Sequence, residues 1–217
     1  MNEPGRRAYA PRVPVGQRRT ALLDAALDLV VTEGHNAATM EAVAERVGVS
    51  KPVVYGIFEN RAALLGALLQ REQDAVMGQL AAISPVRVDP GRPLGPQVAA
   101  VVDDVLAAAR VAPQRWRCVV MSIPDMPAAF LAAREHTRAV LHARIERHVR
   151  AWLAAAGAGP DVASDVVAHA VLALVETAIR LVLTEPDRYR PEVITATVTA
   201  LSLGAGTPTP SAARTSP

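Results

Sequence analysis

Between Thr39 and Arg61 the chain reads TMEAVAERVGVSKPVVYGIFENR. This stretch gathers hydroxyls (Thr39, Ser50, Tyr55), cations (Lys51, Arg61) and small apolar groups (Pro52, Val53) within a short span. Hydroxyls and cations at or next to helix N-termini suit phosphate oxygens, as Thr39, Ser50 and Arg61 would be placed. Lys51 can reach a guanine edge or a phosphate, Pro52 and Val53 can touch thymine methyls, and the Tyr55 hydroxyl can donate to a phosphate. That is the chemistry of recognition, not of bond making. The sequence offers no nucleophile–base pair, no paired metal ligands and no glycine-rich phosphate loop. His142 and Glu146 can in principle share a metal. Together with Glu135, Arg138 and Arg150, at spacings of three or four, they read better as a solvated, ion-paired helix face. No catalytic residue, metal or cofactor is expected.

The recognition residues need rigid elements to hold them. Thr39 is a good N-cap, and Glu41 suits the positive end of a helix dipole. Val43, Ala44 and Val47 share one face, and Gly48 follows where a left-handed residue usually ends a helix. Ser50 is the next N-cap, with Pro52 in the first turn. Two short helices joined by so tight a turn, with Ala44 near their crossing, make a helix-turn-helix, which places its second helix in the major groove of DNA. At about 100° per residue, Val54, Ile57 and Phe58 point inward. Pro52 and Gly56 point outward, flanked by Val53 and Tyr55. This outer face has few hydrogen-bonding groups, so direct base readout is thin. Gly56 inside a helix costs about 1 kcal/mol relative to alanine. Either its missing side chain lets the backbone sit closer to the groove floor, or the position is simply exposed.

Composition bounds the rest. The chain has 217 residues, 51% of them apolar and only 3% aromatic, so its core must be mostly Ala, Val and Leu. Close-packed helices are favoured over a β-sandwich. The net charge of +2 is unevenly placed: Arg6, Arg7, Arg12, Arg18 and Arg19 face only Glu3 in the first twenty residues. Such an arm can follow phosphates or enter a minor groove, or it can be a solvated tail. Cys118 is the only cysteine, which excludes an intrachain disulfide. No apolar run stands out as a membrane span, and the first residues lack a signal-peptide core, so a cytoplasmic location is expected.

In order, residues 1–15 read as a flexible basic arm and 16–80 as the DNA-binding unit. A first helix buries Leu23, Ala26, Leu27 and Val30 and ends at Gly34. A fourth starts at the N-cap Asn60 and buries Leu64, Leu65, Leu68 and Leu69. Prolines and glycines break the chain at 84–96. Residues 81–204 then read as a helical bundle, with pieces near 97–110, 113–122, 128–156, 161–184 and 191–204, followed by a disordered tail at 205–217. The fold class is all-α, with about nine helices in total.

The first eighty residues resemble the DNA-binding domain of the TetR family of transcriptional regulators. The likeness is carried by the helix ending at Glu33-Gly34, by Thr39, by Ala44…Gly48-Val49-Ser50-Lys51, and by Tyr55, Phe58 and Asn60-Arg61. The rest of the chain matches that family in layout only. The resemblance implies that Thr39, Ser50, Tyr55 and Arg61 hold the DNA backbone. It also implies a homodimer, a C-terminal pocket for a small-molecule effector, and repression relieved by that effector. The helices at 161–184 and 191–203 would form a two-fold four-helix interface, and the operator would be an inverted repeat of double-stranded DNA. Trp116, Met121, Met126, Phe130 and Trp152 can line a pocket for an apolar ligand, or merely fill the core. Glu176 and Arg180 form a favourable i,i+4 pair. The competing readings are a helical-bundle enzyme and a protein-interaction adaptor, each with an incidental helix-turn-helix.

Overall fold

The computed structural model describes residues 14–83, 89, 91–121, 126–159 and 161–203, the last three by their backbone alone. Arg6, Arg7 and Arg12 of the expected arm and the tail at 205–217 lie outside the described residues. Within them the secondary structure is helical throughout, as expected for an all-α chain. Contacts divide the chain into two units that part between Leu68 and Leu69.

In the first unit, α1 (Val15–Glu33) buries Leu22, Leu23, Ala26, Leu27 and Val30, and Gly34 ends it at φ 94°. The helix begins earlier than a flexible arm to residue 15 allows, with Pro14 as its N-cap residue. Proline suits such a start because the N–H it lacks has no partner inside the helix. A single 3-10 turn follows at His35–Ala37. Next come α2 (Met40–Val47) and α3 (Lys51–Tyr55). Arg46 on α2 pairs with Asp28 and, at 2.8 Å, with Glu33, both on α1. Helix α4 (Arg61–Ile83) starts at Asn60, whose Oδ1 accepts from Ala63 N at 2.9 Å. Leu64, Leu65 and Leu68 are buried on it. The unit boundary therefore falls inside α4 rather than near residue 80, because Val76, Leu80 and Ile83 pack into the core of the second unit.

The second unit holds α5 (Leu94–Val111), α6 (Pro113–Val120), α7 (Ala128–Ala155), α8 (Ser164–Thr184) and α9 (Pro191–Leu203). Helix α5 begins before Pro96, which sits within its first turn and needs no N–H there. The core gathers Val102, Val105, Leu106, Trp116, Ile179 and Val182. Helix α8 packs on α5, α6 and α7, while α9 packs on α5. By length and composition Ser164–Thr184 is apolar enough to cross a membrane, with a mean hydropathy of 2.0. That corrects the expectation that no such run exists. Helices α4 and α6 are also tied by charge: buried Glu72 accepts from Arg71 and, at 2.8 Å, from Arg115. Burial, with Glu72 nearby, pushes the Cys118 thiol up to about 12.

Candidate nucleic-acid interface

Geometry at the turn follows from two caps. Thr39 Oγ1 accepts from Ala42 N at 3.1 Å and starts α2. Gly48 ends it at φ 73°, ψ 33°, the left-handed region open to glycine. Val49 N donates back to Ala44 O at 3.0 Å, which closes the turn on α2. Ser50 heads α3 in extended conformation, but its side chain makes no capping hydrogen bond. Val54 and Phe58 are buried and Ile57 half-buried, so the inward face is the expected one.

The outward face carries Lys51, Pro52, Tyr55 and Gly56, all exposed, with Val53 half-exposed beside them. Tyr55 is 48% exposed, a large value for an aromatic side chain in a packed helical unit. Lys51 Nζ lies 3.5 Å from Glu41 Oε2, across the turn, with both side chains largely in solvent. Such a pair is weak and leaves the ammonium available. Lys51 is also the only lysine in the chain. Arg18 and Arg19 lie on α1, not on an extended arm; Arg19 rests over the Phe58 ring at 5.3 Å.

Two residues sit differently from the sequence expectation. Gly56 is not inside a helix: it is the residue that ends α3, at φ −71°, ψ −13°. Arg61 is turned into the protein. Its Nε donates to Ala38 O at 3.0 Å, and its Nη2 lies 3.1 Å from Nδ1 of buried His35. Arg61 thus holds the 3-10 turn and the start of α2 against α4. The sequence signal for this was weak, because His35 lies in no periodic pattern.

A cavity of about 180 Å³ opens in the second unit. Its walls include Val76 and Leu80 of α4, Val101 of α5, Trp116 of α6 and Val175 of α8. Of the five expected pocket residues, only Trp116 lines it. The buried Trp116 indole donates to Gln79 Oε1 at 3.1 Å. Met121 packs at the edge of the core, Met126 is half-exposed ahead of α7, and Phe130 is buried elsewhere. Trp152 donates to Arg92 O at 3.0 Å instead. Helix α7 contributes Arg134, Thr137, Arg138, Arg144 and His148 to the lining, residues that its sequence did not single out as a group. Arg138 Nε donates to Glu176 Oε1 at 3.0 Å, so Glu176 pairs with α7 and not with Arg180. Arg180 donates to Thr177 Oγ1. Glu146 accepts from Arg150, and the His142 and His169 rings lie 3.9 Å apart, tilted by 55°. Among the described residues no group of His, Cys, Asp and Glu is arranged to hold a metal.

Two helices closed by a left-handed glycine, with an exposed second helix, form a helix-turn-helix. Residues 22–68 match the family model described as bacterial regulatory proteins of the tetR family. The segment also resembles the HTH-type transcriptional activator FasR of Mycolicibacterium smegmatis, at 46% identity over 63 residues. That match spans 29% of this chain and 29% of that protein, less than a third of the relative's length. A TetR-like transcriptional regulator from Rhodococcus sp. RHA1 shares the fold at TM-score 0.69 and 21% identity, covering 90% of this chain and all (100%) of that one. A TetR/AcrR-family regulator from Thermobifida fusca does so at TM-score 0.60 and 19% identity, covering 88% and 100%. Residues 22–68 thus carry a DNA-binding segment of the tetR type, and the chain as a whole shares the fold of these solved regulators.

Proposed function

We propose that the protein is a repressor that binds an inverted-repeat operator as a homodimer and is released by a small-molecule effector. The observation that carries the DNA side is the solvent-facing row Lys51, Pro52, Tyr55 and Gly56. Thr39, Ser50 and Tyr55 would hold the backbone, Lys51 a phosphate or guanine edge, and Arg18 and Arg19 flanking phosphates. Arg61 braces the 3-10 turn and the start of α2 and is left out of the DNA contacts.

The dimer reading is supported by the outer face of α8, where Val166 is 64% exposed and Ala170 and Ala173 are exposed beside it. On α9, Val193, Ala196 and Ala200 are exposed as well. Small apolar groups left in water on two neighbouring elements suit burial against a second copy. A two-fold pair would address half-sites about 34–36 Å apart. The effector reading is supported by the apolar cavity, which touches α4 through Val76 and Leu80. Because α4 begins at Arg61, a ligand that prefers one position of this helix shifts the DNA-competent population by its differential affinity, typically about 1–3 kcal/mol.

A second reading, activation, is favoured by the name of the FasR relative. Footprinting on DNA flanking the gene tests the proposal. A protected two-fold site with steep salt dependence is expected. Transcription from that DNA then gives the sign. Uniform, sequence-independent binding would sink the regulator reading.

A further inference from the structure

The effector reading leaves the chemistry of the ligand open, and the polar groups of the cavity wall narrow it. Sixteen of the 24 lining residues are Val, Leu or Ile, and the surface turned to the lumen is almost wholly apolar. Most of the other side chains already have partners inside the protein. Gln97 Oε1 accepts from Asp89 N at 2.7 Å, and its Nε2 donates to Asp89 O and Arg92 O, each at 3.0 Å. The Thr137 hydroxyl donates to Ala133 O at 3.1 Å. Trp116 is held by Gln79 and Arg138 by Glu176, while Arg144 has an interaction of its own. Burial, and then the guanidiniums of Arg144 and Arg147, hold the His148 imidazole below its ordinary pKa, so it is neutral at pH 7. That leaves Arg134, which is half-buried. An arginine can line an apolar surface with its methylene stem while its head stays in water.

We propose that this cavity takes an uncharged, largely hydrocarbon ligand and excludes molecules with an ionised head, because nearly every polar group on its wall is already held by the protein. This rests on the effector-site reading above and narrows it by charge and by size. Moving an ion from water into apolar surroundings is costly unless the ion is paired there. An acid head could pair with Arg138 only by drawing it from Glu176, which would leave that half-buried carboxylate uncompensated. An amine head on Glu176 would strand the Arg138 guanidinium in the same way. A neutral hydrocarbon meets no such cost and gains by leaving water for an apolar wall. Size follows from volume. A cavity of about 150 Å³ takes benzene, so about 180 Å³ suits a body of roughly seven or eight carbons.

The test uses the full-length protein and three probes that share a phenyl ring and a two-carbon arm: ethylbenzene, phenylacetate and 2-phenylethylamine. At pH 7 they are neutral, anionic and cationic. Calorimetric titration in sealed cells and thermal shift give the affinities. Ethylbenzene should bind at least about thirtyfold tighter than either ion, as burial of an unpaired charge would dictate. A smaller gap on either side overturns the assignment and leaves the effector site standing. Arg134→Met should not widen the gap between ethylbenzene and phenylacetate; a wider gap would put the acid head on that guanidinium and overturns the assignment too. Val175→Phe, which fills the lumen, should abolish ethylbenzene binding, and Val101→Phe serves as a second filling change should the first unfold the protein. Undiminished binding to either folded variant overturns the assignment, since the probe then sits elsewhere. If none of the probes binds or raises the melting temperature, the effector site itself fails and takes this assignment with it.

Discussion

Arg61 has the charge to hold a phosphate, and yet its guanidinium faces Ala38 O and His35. Residue type alone does not separate a group that touches DNA from one that positions such a group; the partner atoms do. Arg61→Gln leaves buried carbonyl oxygens short of a donor and should cost about 1–3 kcal/mol of stability. Denaturant unfolding checks this. DNA affinity measured well below the melting point should change little, and a large loss there would put Arg61 on the DNA after all. Gly56 makes the complementary case. A Cβ built on it meets Pro52 O and Val53 O at 3.5 Å, an ordinary contact, at a φ any residue adopts. Gly56→Ala should therefore be tolerated, with a gain below about 1 kcal/mol from a stiffer unfolded chain. A loss of operator affinity at unchanged stability would mean that the duplex backbone comes close here. Unchanged affinity would mean that it does not.

At the scale of elements, the turn between α2 and α3 depends on one conformation. Gly48→Ala forces a Cβ into the left-handed region and should destabilise the first unit by about 1 kcal/mol, read from the early part of a thermal melt. The helices of this unit were legible in the sequence because each has a local stop or start: Gly34, Thr39, Gly48 and Asn60 all act within three or four residues. The 3-10 turn at His35–Ala37 was not, because so short an element has no period. The start of α5 was displaced because Pro96 looks like a break, although a proline in the first turn loses nothing. Helix α7 is only partly the ion-paired face that its spacing suggests: Glu146 accepts from Arg150 along the helix, but Arg138 reaches across to Glu176, and Arg134, Arg138, Arg144 and His148 border a cavity. A one-dimensional pattern does not show what lies opposite. The cavity is built by five helices, so no single segment announces it, and only the bulk of Trp116 pointed there.

At the scale of the whole molecule, the proposed two-fold assembly would cover the exposed valines and alanines of α8 and α9. Val166→Glu should turn a dimer into a monomer in sedimentation equilibrium and weaken operator binding far more than non-specific binding. A variant that stays dimeric would move the interface elsewhere. The chain's 23 basic residues include a single lysine, and it opens α3. Amine-selective acylation of the native protein therefore modifies one side chain besides the N-terminus, and that side chain is the candidate contact. Operator DNA should shield it from the reagent, whereas random-sequence DNA at high salt should not. Mass spectrometry of one peptide then reports occupancy of the operator directly, with no mutation and no attached dye.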